Sequence, residues 1–396
     1  MGLYEEAKAL QDEMTAIRRQ LHEWPELGFE LPKTKALVWE KLTEMGYEPQ
    51  ECGRAGITAS LGKPGKTILL RADMDALPMK EETGLPFSSK NDWMHSCGHD
   101  THVAMLLGAA KLLKAHESEL AGCVKFMFQP AEEILAGSAD MLNSGILENP
   151  KVDAAFGMHI MSELPCDKIV YADRYVNASA DKFIIRIKGR GGHGAMPENA
   201  VDPLLCACYI NVALQEILGR EISGKDLAVI TVCHMESGEK ENIIPETAFM
   251  EGTTRAYSGK VREYMKKRME EICVGVAAAY RCECTVEWPF GVSPNENDPA
   301  LQEEIIGGIR EFLGEEKVLL NPASMGSEDF ANVSQAVPSV FVSLGARVED
   351  DSKVFGQHSN HVLFDERVFA TGAAVYADTA MRWLKKAIGS FNTFHM

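Results

Sequence analysis

Residues 103–133 read VAMLLGAAKLLKAHESELAGCVKFMFQPAEE, and the architecture of the chain can be inferred from this stretch. Its first half, residues 103–114, is apolar on nearly every side, which predicts a helix packed on two faces. Its second half contains the apolar run 124–128, which is typical of a buried strand. Because helices that alternate with buried strands indicate an α/β domain, we predict a sheet flanked by helices.

Two further apolar runs are predicted to be buried strands of the same sheet, residues 67–73 and 154–158. The first run carries Asp73 at its end with Asp75 close behind, and the second is followed directly by His159. In open α/β sheets the ligand site lies beyond the strand ends. We therefore expect the polar residues that follow these strands to share one site.

The run Met94-His95-Ser96-Cys97-Gly98-His99-Asp100-Thr101-His102 contains three histidines, a cysteine and an aspartate. Imidazole and thiolate are strong ligands of divalent first-row metals. Gly98 indicates a turn that opens the following helix, where Cys97 and His99 can converge on one ion. The alternative is that the cysteine and the histidines are only packed in a buried turn.

The adjacent acids Glu132 and Glu133 follow the predicted strand 124–128. Neighbouring carboxylates diverge, so one can bind a metal while the other faces a water molecule. Most such pairs lie on a solvated surface, but the strand end before this pair favours a site. His159 has a similar position, which makes it a candidate ligand rather than a structural histidine.

From about residue 181 the pattern changes to the order β-α-β-β-α-β, which is the split βαβ or ferredoxin-like unit. The predicted elements are residues 183–188, 203–218, 227–234, 248–255, 260–280 and 283–288. We interpret residues 181–294 as an inserted domain and residues 1–180 with 295–396 as the domain that carries the site. At 396 residues, the chain is long for a single core.

The composition excludes several classes of protein. Apolar residues make up 45% and charged residues 25% of the chain, as in ordinary globular proteins. The net charge of -18 argues against a nucleic-acid partner, because there is no excess of basic residues to neutralise phosphates. No apolar stretch reaches the roughly 18 residues of a membrane span, so we expect no membrane association.

The ten cysteines are scattered without regular spacing, which fits reduced thiols better than a disulfide framework. The first six residues, Met1-Gly2-Leu3-Tyr4-Glu5-Glu6, are acidic where a signal peptide would be basic. Together these features predict a cytoplasmic protein.

The chain resembles the aminoacylase and carboxypeptidase family of two-metal metallopeptidases. It is most similar to the amidohydrolase branch, which includes hippurate hydrolases, N-acyl-amino-acid deacylases and auxin-conjugate hydrolases. The matching motifs occur in family order: LHEWPELG (21–28), RADMDALP (71–78), CGHDTH (97–102), QPAEE (129–133), GMH (157–159), GGHGAMP (191–197), NIIP (242–245), GSEDF (326–330) and HSNH (358–361).

The resemblance implies a zinc-peptidase-like catalytic domain and an inserted lid or dimerisation domain. It further implies a site for two divalent ions (zinc, manganese, cobalt or nickel), with the ligands Cys97, His99, Glu133, His159 and His358. Cys97 would bridge the two ions where other branches use an aspartate, since two cations would deprotonate a thiol. From the sequence pattern alone, His358 could equally be an ordinary loop residue.

The resemblance also implies the other roles. Glu132 would be the general base and then the acid, and Asp75 would fix a ligand imidazole. Asp100 and His102 could do the same or merely cap and pack the helix. In the inserted domain, His193 would stabilise an oxyanion, at a neighbouring subunit's site in dimeric members.

Three residues, Asn242, Arg255 and Gly326, would bind the substrate, although Arg255 could equally be a surface cation. The implied activity is hydrolysis of the amide of an N-acyl amino acid, such as an acetyl or benzoyl derivative, in a homodimer joined by the inserted domain. The rivals are a metallocarboxypeptidase or dipeptidase acting on short peptides, and a metal- or ligand-binding module without turnover. The presence of Glu132 argues against the last.

Overall fold

A computed structural model describes residues 2–321 and 323–389 of the chain. The chain divides into two compact units. The first comprises residues 2–176, 296–321 and 329–389, and the second comprises Asn177–Asn295 with Ala323–Glu328.

The helices of the described residues are α1 (Leu3–Ala9), α2 (Gln11–His22), α3 (Pro32–Glu44), α4 (His99–Ala115), α5 (Gly137–Asn143), α6 (Pro203–Glu216), α7 (Gly259–Ala279), α8 (Pro299–Leu313), α9 (Ala331–Ala336) and α10 (Phe369–Gly389). The strands are β1 (Gln50–Cys52), β2 (Gly56–Gly62), β3 (Thr67–Asp73), β4 (Cys123–Gln129), β5 (Ala154–Met161), β6 (Ile169–Tyr171), β7 (Tyr175–Asn177), β8 (Ala180–Lys188), β9 (Gly192–His193), β10 (Ala228–Glu236), β11 (Ile243–Ile244), β12 (Thr247–Ala256), β13 (Glu283–Val292), β14 (Asn295–Glu296), β15 (Val318–Leu320) and β16 (Ser339–Gly345).

The first unit contains a mixed sheet in the order β1-β2-β4-β3-β5-β16-β6-β15. Its central strands β4, β3, β5 and β16 run parallel. Strand β1 pairs antiparallel with β2, β2 with β4, and β6 with β16, while β15 pairs parallel with β6. Every residue of β3 is buried, as expected for a strand between parallel neighbours with helices on both faces. The carboxyl ends of β3, β4 and β5 consequently meet at one edge of the sheet.

Side chains of successive strand residues enter two separate cores, one on each face of the sheet. Leu70 and Phe126 belong to the larger core, which also contains α4 and α10, whereas Leu69 and Met127 belong to the smaller core with α5 and α9. Helix α4 is buried along most of its length because it packs against β3 and β5 of the sheet and against the neighbouring helices α2 and α10. This fixes the start of α4 firmly beside the strand ends.

The second unit is a four-stranded antiparallel sheet in the order β10-β12-β8-β13, with α6 and α7 covering one face. Strand β8 shows the expected alternation: Phe183, Ile185 and Ile187 are buried under the helices, while Arg186 and Lys188 are exposed. The chain order β8-α6-β10-β12-α7-β13 with this strand order is the ferredoxin-like arrangement.

The predicted fold class is confirmed: a mixed α/β sheet flanked by helices and a ferredoxin-like α+β unit. The apolar residues Ala7, Leu10, Met14 and Ile17 have the spacing of one continuous helix, but the structure divides this segment into α1 and α2. The amide of Leu10 donates a hydrogen bond to the Ala7 carbonyl, and α1 ends there. The segment Ala323–Glu328 clusters with the second unit.

The domain limits themselves, 1–180 with 295–396 and 181–294, stay a prediction, and residues 390–396 of the second range lie outside the described residues. Among the helices of residues 2–321 and 323–389, none combines the length and hydrophobicity needed to cross a membrane.

Candidate metal centre

The turn before α4 brings the first two predicted ligands together. Gly98 lies between Cys97 and His99 with φ +91°, a left-handed conformation that suits glycine. A Cβ atom at this position would lie 2.5 Å from the Cγ2 atom of Ile160. Both the backbone conformation and the contact with Ile160 therefore require glycine at this position. The sharp turn directs the side chains of Cys97 and His99 toward the strand ends.

The loop after β4 places Glu132 and Glu133 opposite this turn. The carboxylate of Asp75 accepts the backbone amide of Glu132 at 3.0 Å with one oxygen and that of Glu133 at 3.1 Å with the other. Ala131, just before them, has φ +55°, so the loop turns sharply after the strand. Asp75 thus fixes the backbone positions from which the side chains of Glu132 and Glu133 extend.

The predicted ligands form two groups of side chains whose donor atoms lie within 4.8 Å of one another, and Cys97 belongs to both. One group contains Cys97, His99 and His159, and the other contains Cys97, Glu133 and His358. The Cys97 Sγ atom lies 3.3 Å from His159 Nε2, and His358 Nε2 lies 3.5 Å from a carboxylate oxygen of Glu133. These distances leave the donor atoms facing a common space.

The hydrogen bonds of His99 and His159 leave the same ring nitrogen of each available to a metal ion. His99 Nδ1 lies 2.9 Å from the backbone oxygen of Asp75, and His159 Nδ1 lies 2.6 Å from that of Ile160. A carbonyl oxygen can only accept, so we assign the proton to Nδ1 in each ring. With Nδ1 occupied, Nε2 is the nitrogen that each ring can offer to a cation.

Two buried polar atoms of the centre lack a hydrogen bond to any described residue: His99 Nε2 and Glu133 Oε1. They lie 3.9 Å apart. Unsatisfied buried polar atoms are costly, and they call for a partner such as an ion or ordered water. A soft thiolate, imidazoles and a carboxylate together suit a divalent transition metal, so the residues fit such an ion.

Burial controls the protonation of the metal-free centre. It raises the pKa of the Cys97 thiol well above its usual range, and the negative charge of Glu133 adds to this. Burial likewise raises the pKa of Glu133 to about 7 and lowers that of His159 well below its ordinary value. A bound cation would reverse the first two effects, because it favours the deprotonated thiol and carboxylate.

His358 differs from the other donors because its side chain is 55% exposed. It has φ +64° in a loop and its amide donates to the backbone oxygen of Ser96, which ties it to the Cys97 segment. A single histidine in an irregular loop carries no periodic signal. Only the family resemblance could indicate this residue from the sequence.

Glu132 lies beside the two groups with one carboxylate oxygen 4.0 Å from His99 Nε2. Its side chain is 8% exposed, so Glu132 is almost fully enclosed. Glu132 and Glu133 diverge as predicted for neighbouring acids, and both lie close to His99.

Asp73 lies in the centre, as its position at the end of a buried strand predicts, although neither its spacing nor the family resemblance indicated a role for it. Its carboxylate lies 2.5 Å from His102 Nδ1 and accepts a hydrogen bond of 2.7 Å from the buried guanidinium of Arg71, and it also lies 3.4 Å from His99 Nε2. His102 Nε2 accepts the backbone amide of Ile160 at 2.8 Å. Both nitrogens of His102 are thus occupied, so this residue supports Asp73 and β5. An aspartate at the end of a buried strand was the available sequence signal.

The remaining predicted residues lie in the second unit. His193 and Asn242 are exposed neighbours, since β9 pairs with β11 and the Asn242 carbonyl accepts the amide of Gly194 at 2.9 Å. Arg255 donates to Thr253 Oγ1 and, at 2.8 Å, to the Thr254 backbone oxygen.

Gly326 is also exposed, in the segment Ala323–Glu328. Its amide donates to Ser324 Oγ at 3.1 Å. Of the predicted site residues, the structure thus brings seven together in the first unit, Asp75, Cys97, His99, Glu132, Glu133, His159 and His358, and places the other four in the second unit.

Sequence comparison identifies the family. The model of peptidase family M20/M25/M40 matches residues 69–382. This chain belongs to that family. IAA-amino acid hydrolase ILR1-like 4 of Arabidopsis thaliana is 38% identical over 94% of this chain and 86% of its own length. Thermostable carboxypeptidase 1 of Saccharolobus solfataricus is 37% identical over 97% and 98%.

A third relative, the N-acetylcysteine deacetylase of Bacillus subtilis, is 36% identical over 94% of this chain and 97% of its own length. Among solved structures, a protein of methicillin-resistant Staphylococcus aureus matches with a TM-score of 0.93 and 31% identity over 96% of this chain and 99% of its own. A dinuclear metal-binding M20 peptidase from Bacillus subtilis matches with a TM-score of 0.83 and 33% identity over the same shares. The M20 family thus includes relatives whose names describe hydrolysis of amide bonds.

Proposed function

We propose that this protein is a hydrolase that cleaves the amide bond of N-acyl amino acids with the aid of two divalent metal ions. The observation that supports this most strongly is the pair of ligand groups that share Cys97. Two groups with one common thiol fit two ions bridged by a thiolate. The relatives named N-acetylcysteine deacetylase and IAA-amino acid hydrolase support the choice of substrate.

We assign one ion to His99 and His159 and the other to Glu133 and His358, with Cys97 shared. Bound divalent cations would lower the pKa of a coordinated water toward about 7 and polarise the scissile carbonyl. The working metal is proposed to be zinc, manganese, cobalt or nickel, all of which accept mixed sulfur, nitrogen and oxygen ligands.

Glu132 is the proposed general base. Its carboxylate lies at the edge of the donor space and, unlike Glu133, is assigned to neither ion. It would accept a proton from the attacking water and then deliver this proton to the amide nitrogen, because an amine leaves readily only once it is protonated. Asp75 is a positioning residue that holds the backbone of Glu132 and Glu133.

In the second unit, we assign His193 to stabilisation of the oxyanion, and Asn242, Arg255 and Gly326 to binding the substrate. The exposure of His193 and Asn242 and their closeness support this, because both side chains can meet a ligand. Arg255 suits a carboxylate through bidentate contacts, although it would first exchange its hydrogen bonds within its own strand.

A carboxypeptidase or dipeptidase activity is the second candidate, favoured by the 37% identity to thermostable carboxypeptidase 1. The two activities differ in substrate, since an aminoacylase needs no free N-terminal amine. Comparing N-acetyl and N-benzoyl amino acids with dipeptides of the same residues distinguishes them.

A homodimer formed through the second unit is the proposed assembly. Helix α6 buries one side against its own sheet, yet Leu205, Tyr209 and Val212 on the other side are 47%, 52% and 70% exposed. A helix that is apolar all round is typically buried on both sides. All ten cysteines carry free thiols, which supports the proposed cytoplasmic location.

The proposed mechanism predicts different effects for the two adjacent acids. Glu132→Gln should lower kcat about 100-fold or more while the protein keeps its metal, because only the proton carrier is lost. Glu133→Gln should lose metal as well as activity, because a ligand is removed. The measurements are hydrolysis of acetyl and benzoyl amino acids and metal content by elemental analysis. Unchanged activity in Glu132→Gln would show that another group carries the proton.

A further inference from the structure

The segment Leu21–Gly28, which we call the N-terminal brace, contributes no donor atom to the metal centre. It corresponds to the sequence motif LHEWPELG, and it precedes the matched family region, which begins at residue 69. Nevertheless, it contacts the segments that carry Asp75, His99 and Glu132. Its buried histidine, His22, contacts the segment that carries His99 through its side chain.

His22 links the start of α4 to the long loop of residues 77–96. Its Nδ1 atom lies 2.7 Å from the carboxylate of Asp100, the residue that follows His99 in the chain. On the other side of the ring, Nε2 lies 3.3 Å from the carboxylate of Glu81. Glu81 in turn accepts the backbone amide of Ser89 at 2.6 Å, within the same loop. This loop joins Asp75 to Cys97, so the imidazole connects the first part of the loop to the start of α4.

The charges around His22 suit an imidazolium that hydrogen-bonds to Asp100 through Nδ1 and forms an ion pair with Glu81 on the Nε2 side. The groups that face it are Arg18 on α2, Asp100 on α4, and Glu81 and His95 from the loop. Burial and Arg18 lower the pKa of His22, but Asp100 and Glu81 outweigh them and raise it above its ordinary value. With Arg18 and His22 positive and both acids negative, the cluster is balanced in charge.

The backbone of the brace holds two more segments of the centre. The carbonyl oxygen of Glu26 accepts the amide of Ala76 at 2.8 Å, directly after Asp75. The carbonyl oxygen of Gly28 accepts the amide of Ala131 at 3.1 Å, directly before Glu132. The loop is also fastened at Lys90, whose amide donates to the Glu23 carbonyl at 2.9 Å. One short segment therefore sets the relative positions of the residues that carry the donors.

We propose that His22 is a positioning residue of the metal centre, which acts by holding the Asp100 end of α4 and the Glu81 loop in register so that Cys97 and His99 meet the same ion. The inference rests on the proposed function, since it concerns the same ions. It adds a residue that touches neither metal nor substrate.

The test compares His22→Phe, which removes both polar contacts and keeps the ring volume, with His22→Gln, which keeps one donor group. The matched control is Tyr47→Phe. The Tyr47 hydroxyl is buried and donates to the Ala110 carbonyl at 2.8 Å, near the far end of the same helix α4. The control therefore loses a buried hydrogen bond to α4 without disturbing its start.

Cobalt is the probe. For each variant we would measure the affinity for Co²⁺ by competition with a chelator, the visible spectrum of the cobalt-loaded protein, kcat and KM, and the melting temperature. We expect His22→Phe to bind Co²⁺ about tenfold more weakly, with an altered spectrum and a kcat about tenfold lower at nearly unchanged KM. For His22→Gln, the affinity for Co²⁺ and kcat should lie between those of His22→Phe and those of the wild type. Tyr47→Phe should lose thermal stability only.

If the folded His22 variants bind Co²⁺ with the affinity and the spectrum of the wild type, the proposal is overturned. His22 would then be a residue that only stabilises the fold. Should His22→Phe fail to fold, His22→Gln compared with Tyr47→Phe decides the question in the same way. Failure of the proposed function has a different signature: the wild-type protein itself would neither bind Co²⁺ nor hydrolyse N-acyl amino acids. That result would overturn the inference as well.

Discussion

Cys97 is the residue on which the assignment of two ions depends, because it alone belongs to both ligand groups. A serine hydroxyl deprotonates far less readily than a thiol, so Cys97→Ser should bridge poorly. We expect its affinity for Zn²⁺ or Co²⁺ to fall at least about tenfold, with a parallel loss of activity. Cys208→Ser is the control, since Cys208 is exposed in the second unit. Full metal occupancy and rate in Cys97→Ser would contradict the bridging assignment.

The sequence predicted some of the individual residues of the metal centre. Cys97, His99 and the acids Glu132 and Glu133 could be proposed from their dense spacing and from the strand before them. His358 could not, because a loop histidine carries no periodic signal. The carboxylate of Asp75, predicted to orient an imidazole, lies 3.5 Å from His99 Nδ1, but it also holds two backbone amides, and the Asp75 backbone oxygen accepts from His99. Such contacts depend on loop geometry, which spacing does not reveal.

Among the elements, the turn that begins α4 is the most sensitive to substitution. Gly98→Ala should cost about 1 kcal/mol for the left-handed backbone and about 1–3 kcal/mol more for the clash with Ile160. Gly84→Ala is a matched control, because Gly84 has φ +70° but a Cβ atom there would meet nothing within 4 Å. Thermal melting should therefore separate the two variants, and only Gly98→Ala should lose metal. Equal melting temperatures of Gly98→Ala and Gly84→Ala would mean that the turn at residue 98 shifts to accommodate the added methyl group.

The contact between α1 and the end of α4 should depend on pH. Hydrogen bonds to Glu119 and then to Glu6 raise the pKa of His116 above its ordinary value. Since the folded value exceeds the unfolded one, this contribution is fully present below about pH 6.5 and is lost as the pH rises through the folded pKa. It should stay below about 1 kcal/mol, because the contact is partly exposed. The difference in urea midpoint between wild type and His116→Gln should narrow with rising pH; a constant difference would contradict this.

Long elements were predictable and short ones were not. The runs that became β3 and β5 and the helix α4 have enough apolar residues to show their period. The strands β1, β6 and β15 have three residues each, too few for any pattern. Leu10, which separates α1 from α2, fits the apolar stripe of one continuous helix, so the interruption could not be seen.

For the whole molecule, the exposed apolar side of α6 should determine assembly. Val212→Glu places a charge at the most exposed large apolar residue of α6. This variant should convert a dimer to a monomer, as measured by sedimentation equilibrium. Leu227→Glu is the control, since Leu227 is 58% exposed in the same unit but lies outside α6. A wild-type protein that sediments as a monomer would contradict the proposed dimer directly.

The order of elements predicted the fold class of both units, because β-α-β-β-α-β admits few arrangements once its strands alternate in burial. The segment Ala323–Glu328 was not assigned to the second unit by the sequence analysis. It has no helix or strand of its own, so only tertiary contacts could place it.

The unequal exposure of the histidine donors has a consequence for how the protein exchanges its ions with the medium. His99 is fully buried, whereas the side chain of His358 is more than half exposed. A ligand that water can reach is displaced more readily than one enclosed by packing. If the proposed ligand assignment holds, we expect a chelator to strip the protein in two phases, first the ion assigned to His358 and Glu133 and later the ion assigned to His99 and His159. A brief treatment with chelator would then leave a protein with one ion, at the position of His99 and His159. That ion would be the metal bound during synthesis, whereas the position of His358 and Glu133 would exchange with metals in the medium.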